Sequence, residues 1–236
     1  MASIKVKGIV VGGVNVKEKD RYVKLFTLEN GLMSVTMKGV RGDKAKMKAA
    51  KEIFCFGDFV IEEGDKYSVV TSVDIIDSFH MLADQIDKYY EACAVVDIVR
   101  KVANEKNVDL FIELLEALKT LCYDEVSRYS VIDKFLISVL NGMGYKFLNE
   151  KCSSCGAELG AKYLNLEIGE IVCPACKKAT SIPISEACYN VIRILSRTSY
   201  EDLHTVRVPI MTDSQVHYIL STDYEWRIGN KVLSLV

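Results

Sequence analysis

The chain has 236 residues, half of them apolar and 26% charged, with a formal net charge of −2. This is an ordinary globular mix with enough length for one or two domains and a sizeable core, and it excludes a chain-wide basic excess that would announce nucleic acid by itself. The longest uncharged run, Phe135 to Tyr145, has 11 residues, against the roughly 20 that a membrane span needs.

The opening stretch, MASIKVKGIVVGGVNVKEKD, loosely mimics a signal peptide. Its apolar part is broken by glycine and lacks an Ala-x-Ala type end, so it reads as a strand and a turn. Without export, the eight cysteines do not read as a disulfide framework, and the cytoplasm is the expected compartment. Period-two alternation continues from there. Met33, Val35 and Met37 alternate with Ser34, Thr36 and Lys38, and Val23 and Leu25 alternate among Tyr22, Lys24 and Phe26. Gly12-Gly13, Asn30-Gly31 and Gly64-Asp65 punctuate the runs, Asn-Gly being a strong hairpin signal. Strands are predicted over 3–11, 21–29, 32–40, 57–63 and 66–76. The long gap from 41 to 56 is basic. Five short strands with one long excursion suit a Greek-key barrel such as the OB-fold.

From residue 80 the period becomes helical. Leu82, Ile86, Tyr89, Cys93 and Val96 fall at steps of three and four. Leu110, Leu114, Ala117, Leu118 and Leu121 form a second stripe. Val131, Phe135, Val139 and Leu140 form a third, stopped by Gly142 and Gly144. Ser185 is placed to cap a helix of about 12 residues, and Asp213 to open another reaching Trp226. The predicted fold class is α+β: an N-terminal OB-fold β-barrel, residues 1–79, then an α-helical domain, 80–236, carrying a four-cysteine, zinc-ribbon-like insert at about 150–180.

That insert reads CSSCGAELGAKYLNLEIGEIVCPACKK, residues 152 to 178, with 17 residues between its two Cys-x-x-Cys pairs. One tight turn per pair can present two thiolates, and the spacing is that of a four-cysteine zinc site. Gly156 and Pro174 suit such knuckles, and KYLNLEIGEIV reads as a hairpin turning near Gly169. Cys152, Cys155, Cys173 and Cys176 are therefore the expected ligands of one structural zinc ion, because four sulfurs leave no open position for water or substrate. The competing reading is four free or redox-active thiols. A zinc ribbon that itself touches nucleic acid through Lys162, Lys177 and Lys178 is a further alternative. Cys55, Cys93, Cys122 and Cys188 are scattered on apolar faces and read as core.

Residues 38 to 51, KGVRGDKAKMKAAK, hold Lys38, Arg41, Lys44, Lys46, Lys48 and Lys51 against Asp43 alone, a local charge of +5. Such a run neutralises phosphates along a strand, or it is a solvated loop. Its place after the third strand of a barrel type that binds single strands favours phosphates. Tyr22 and Phe26 are aromatics available either for stacking on bases or for the core. No phosphate-cradling glycine loop, dinucleotide fingerprint or Gly-x-Ser-x-Gly elbow occurs. His80, His204 and His217 lie far apart in sequence and read as surface or satisfied histidines. No catalytic residue is expected.

Taken in order, these motifs resemble the RecO family of bacterial recombination mediators. LFTLENGLMSVTMKGVR, 25 to 41, is similar to the family's LFT-x-E-x-G signature and the KG-x-R strand end that follows. DKYYEACAVVDIV, 87 to 99, resembles the first helix of its helical domain. FLISVLNGMGYKFLNEKCSSCG, 135 to 156, resembles its helix, glycine-tyrosine turn and first knuckle. The resemblance implies a non-enzymatic protein of DNA repair and recombination after DNA damage. It implies binding of single-stranded and double-stranded DNA and annealing of single strands. It also implies partnership with RecR in loading RecA, contact with the C-terminal tail of the single-stranded-DNA-binding protein, and a nucleoid-associated place in the cytoplasm. Lys38 and Arg41 then correspond to the family's basic strand end, and Lys44 to Lys51 to the segment after it. The alternative function is an RNA-binding module built from an OB-fold and a zinc ribbon; a further one is a protein-interaction scaffold.

Overall fold

The structure is a computed structural model that describes residues 3–16, 18–42, 45–145 and 148–229. The chain divides into two compact units. The first comprises Met1–Tyr89 and Val95–Cys122, and the second Tyr90–Ala94 and Tyr123–Val236.

The first unit is built on a closed barrel of β1 (Ser3–Val16), β2 (Asp20–Thr27), β3 (Gly31–Met37), β4 (Phe56–Glu62) and β5 (Ser68–Asp77). The order is β1-β2-β3-β5-β4, with β4 pairing back to β1 and β3 running parallel to β5. That closure is the OB-fold, and it removes every sheet edge. Alternation sends Val23, Leu25, Val35, Met37, Phe59, Ile61 and Val70 into one buried core. β1 runs further than the 3–11 expected. It passes through Gly12-Gly13 with a bulge at Val10–Gly12 and continues to Val16, because a bulge absorbs glycines without ending the ladder. The Asn30-Gly31 turn behaves as expected: Gly31 sits at φ +69, in the left-handed region where a side chain is strained, and a Cβ there would strike the backbone of Glu105.

Two helices follow, α1 (Ile86–Val102) and α2 (Val108–Tyr123). The unit around the barrel does not stop at the last strand. Phe26 and Phe56 pack against Phe111 of α2 with tilted rings, centroids 5.8 and 6.3 Å apart. Phe26 is therefore buried under a helix and unavailable to bases, whereas Tyr22 is 36% exposed.

The second unit holds α3 (Ser130–Gly142), the insert strands β6 (Lys162–Asn165), β7 (Glu170–Val172) and β8 (Ile182–Ile184), then α4 (Glu186–Arg197) and α5 (Ile210–Ile228). α3 and α4 match their predicted extents, and Ser185 caps α4 by accepting from the Cys188 amide. α5 begins three residues before the expected Asp213. Pro209 stands at its N-cap, and proline is at home where no amide partner is needed. β8 was not expected: three residues with Pro183 in the middle give no periodic signal. No helix among the described residues is long and apolar enough to cross a membrane.

Candidate metal centre and nucleic-acid interface

The insert is a sheet in the order β7-β6-β8 with a knuckle at each end of its hairpin. Before the first knuckle, Lys151 bridges to Glu158, and the Cys152 amide bonds to the Ala157 carbonyl at 2.7 Å. Gly156 closes the turn at φ +74, donating to the Cys152 carbonyl at 2.8 Å. The left-handed backbone explains a glycine directly after the second cysteine. The second knuckle leaves β7 at Cys173, and the Cys176 amide donates back to the Cys173 carbonyl at 3.1 Å.

These turns bring the Sγ atoms of Cys152, Cys155, Cys173 and Cys176 within 4.8 Å of one another. Cys155 Sγ and Cys173 Sγ are 3.8 Å apart. A tetrahedron with metal–sulfur bonds of about 2.3 Å has edges of about 3.8 Å, so the four sulfurs are spaced as ligands of one ion. The chemistry of the set agrees. Burial pushes the Cys152 thiol up, but amide donors, first that of Cys173 at 3.3 Å, outweigh it and bring it down to about 6. The Cys155 and Cys173 thiols push Cys176 up to about 12. Crowded sulfurs resist being thiolates together, and a cation at their centre removes that conflict. The four cysteines can hold a metal ion, and four sulfurs around one ion leave no coordination position open.

The remaining cysteines lie outside this cluster. Burial, with the charge of Asp77 added, pushes Cys55 up to about 11. Cys122 and Cys188 are buried and Cys93 is half-buried. The histidines are engaged: His217 Nδ1 meets Asp133 Oδ1 at 2.7 Å while its ring stacks on Tyr129 at 4.4 Å. His204 Nδ1 meets the Glu201 carbonyl at 2.7 Å, and His80 Nδ1 the Ser78 hydroxyl at 3.4 Å.

The basic excursion lies on the barrel. Its described residues form turns at 38–41 and 46–48 and end in a 3-10 turn over Ala49–Lys51. Val40 and Ala50 are buried in the barrel core, and Met47 packs against it. These three apolar residues pin the segment on the barrel. Lys38, Arg41, Lys46 and Lys48 are exposed. Lys38 Nζ stands 5.6 Å from the Tyr67 ring centroid. Arg41 is fixed to the β1–β2 turn, its amide on the Lys19 carbonyl at 3.0 Å and its guanidinium on the Glu18 carbonyl at 3.0 Å. Lys51 is half-buried and ion-paired with Glu52. Lys44 lies outside the described residues.

One cluster escaped the sequence reading. Glu91, Asp133 and Asp213 are buried in the second unit beside His217. Glu91 Oε1 accepts from the Ile132 amide at 2.9 Å, and Asp213 Oδ2 from the Tyr129 amide at 3.3 Å. Asp133 stands at a core position of the apolar helix α3, where pattern reading passes over an acid, and Asp213, expected only as a helix opener, is buried in the first turn of α5.

Two family models match the chain: "Recombination protein O N terminal" over residues 1–79 and "Recombination protein O C terminal" over residues 83–235. Similar proteins include one named DNA repair protein RecO from Clostridium novyi (strain NT), 28% identical over 238 residues, which cover 100% of this chain and 93% of that protein. A protein of the same name from Thermobifida fusca (strain YX) is 28% identical over 239 residues, 100% of this chain and 98% of that one. A third, from Clostridium kluyveri, is 26% identical over 225 residues, 94% and 87% of the two chains. With one model accounting for the barrel and the other for the helices and the four-sulfur insert, the chain belongs to the recombination protein O family.

Proposed function

We propose that this chain binds single-stranded DNA through the basic run on its barrel and anneals complementary strands without nucleotide hydrolysis, as a mediator of DNA repair and recombination. The observation that carries this reading is the pinned segment, which presents Lys38, Arg41, Lys46 and Lys48 to solvent while Val40, Met47 and Ala50 anchor it. Lys44 joins them on sequence alone, and Lys51, already paired with Glu52, contributes least. The names of the relatives support the repair role.

The mechanism follows from electrostatics. Lysine and arginine contacts to phosphates screen the repulsion between two backbones. Such contacts carry no sequence information and leave base edges free to pair. The protein turns nothing over in this reading. Residues 1–79 hold the strand. Residues 80–236 provide the platform for RecR and for the acidic tail of the single-stranded-DNA-binding protein, so that RecA loads onto coated strands. Double-stranded DNA is a second ligand, and the place of action is the nucleoid in the cytoplasm. Cys152, Cys155, Cys173 and Cys176 hold one zinc ion, whose part is to fold the insert.

The test is annealing of complementary oligonucleotides, bare and coated, followed by fluorescence transfer. Annealing without ATP is expected in both. A requirement for ATP, or strong RNA binding with no annealing, overturns the reading in favour of an RNA-binding module.

A further inference from the structure

The second unit carries a groove of about 840 Å³ that none of these roles uses. One wall is the segment 179–185, which contains β8. The other is a stripe on α5, where Gln215, Tyr218, Thr222 and Trp226 recur at steps of three and four. Tyr218 is 61% and Trp226 53% exposed. Their Cα atoms are about 12 Å apart along the helix, and Trp226 is the chain's single tryptophan.

Among the described residues no carboxylate lines the groove, and its one charged lining residue, Lys162, is bound to the Glu186 carboxylate beside it at 2.6 Å. Lys177 and Lys178, both exposed, immediately precede the first wall. Lys177 Nζ stands 4.7 Å from the ring centroid of Tyr163, which lines the groove. An extended peptide would need backbone partners along the outer edge of β8. Pro183 occupies the middle of that three-residue strand and has no amide proton to offer. Exposed rings on one wall and lysines at the rim fit the two parts of a single strand, bases and phosphates.

We propose that this groove is a second site for single-stranded nucleic acid. Tyr218 and Trp226 stack on bases, and Lys177 and Lys178 meet phosphates. The inference rests on the reading that the chain handles single strands, and it adds that strand contact is not confined to the barrel. A chain with one site in each unit holds two strands at once, as pairing them requires.

Trp226 reports its own site. Short oligothymidylate added to the full-length zinc-loaded protein should quench its fluorescence, while the anisotropy of a labelled copy reports total binding. Quenching should survive in Lys46→Glu/Lys48→Glu, which isolates the groove. The quenching midpoint should rise roughly tenfold in Tyr218→Ala, the scale of one lost base stack. It should also rise in Lys177→Glu/Lys178→Glu, with a shallower salt dependence. Both changes are at exposed positions, so circular dichroism should show an unchanged fold. Oligonucleotide bound by anisotropy with Trp226 unquenched, or quenched equally in all variants, overturns the groove and leaves the barrel reading standing. No binding by anisotropy removes both. An acidic peptide that shifts Trp226 where the oligonucleotide does not makes the groove a protein-docking site and overturns the proposal.

Discussion

In the barrel, Val23, Leu25, Phe59, Ile61 and Val70 are almost wholly withdrawn from water, and Val40 and Ala50 from the following loop complete the same core. Around the knuckles of the insert the buried cluster is Cys152, Val172 and Cys173, with Leu159, Tyr163 and Cys176 packed around it. Two of those three buried residues are sulfur donors. The barrel therefore has a core that stabilises it through apolar area, at about 25 cal/mol per Å². The insert has three short strands, and its other buried apolar side chains, Leu164, Leu166, Ile171 and Ile184, lie outside that sulfur cluster; a piece of this size ordinarily needs a metal or a disulfide. The same chain holds the barrel by apolar burial and gathers, at the knuckles of the insert, four sulfurs that can hold a metal ion.

Removal of a metal held by the four cysteines should break this comparison most severely. Structural zinc sites contribute on the order of 10 kcal/mol at neutral pH. A strong chelator, or Cys173→Ser, should abolish amide protection across 152–176 in hydrogen exchange while the barrel amides stay protected. Zinc analysis of protein purified without chelator should give one equivalent. Less than half an equivalent, or an insert that keeps its protection, means that apolar contacts suffice there after all.

The converse experiment is Phe59→Ala. Emptying a fully buried phenylalanine site costs about 3–5 kcal/mol, and Phe59 is 0% exposed. Thermal unfolding of the barrel should drop accordingly while zinc content stays at one equivalent. Loss of the metal together with the barrel would mean that the two regions do not fold independently.

How much of this was legible follows from the same contrast. Coordination imposes a spacing on the sequence, so the four ligands stood out directly. The barrel strands were legible because a half-buried strand alternates, and Ser185 because a cap has its own chemistry. What stayed hidden depends on which partner covers a face. Phe26 alternates like any outward strand residue, and only α2 buries it. Within a basic run, Val40, Met47 and Ala50 look incidental until the barrel core is seen to include or contact them. Asp133 sits among apolar neighbours with no local hint of His217, which is 84 residues away in sequence.

The two units also respond to pH with opposite sign. On the barrel, the Lys7 ammonium bonded to Asp58, helped by Lys5, holds that carboxyl below its usual range. Its contribution is present above the unfolded pKa and fades as pH falls through the folded one. In the second unit, burial pushes Asp133 up to about 6, partly offset by the hydrogen bond with His217, and burial raises Glu91 and Asp213 as well. A raised acid binds its proton more tightly folded than unfolded. Stability of that unit should fall as pH rises from about 4 to about 6, by about 3 kcal/mol for Asp133. Denaturation followed by Trp226 fluorescence, which reports the second unit, should show this slope, and Asp133→Asn should flatten it. An unchanged slope in the variant would assign the effect to Glu91, Asp213 and Asp223, whose carboxyl is likewise raised by burial.

The smallest effect sharpens the comparison where stability and function part. Lys46 and Lys48 stand outward from a segment whose anchors are apolar, so their charges contribute little to the fold; exposed substitutions change stability by about 0.5 kcal/mol or less. Their contribution to binding is counterion release. If Lys38, Arg41, Lys46 and Lys48 each meet a phosphate, at about 0.7 per contact, log K for single-stranded DNA falls with log salt at a slope of roughly −3. Lys46→Glu/Lys48→Glu removes two contacts and should leave a slope of roughly −1.4 for barrel binding. An accompanying affinity loss of about tenfold corresponds to about 1.4 kcal/mol. The loss should be the same for every base sequence, because phosphate contacts do not read bases. A sequence-dependent loss would point to base contacts at the strand end, where Tyr22 is the exposed ring. An unchanged slope with unchanged affinity would show that the segment, although pinned and basic, keeps its charges for solvent, and that the strand is held elsewhere on the chain.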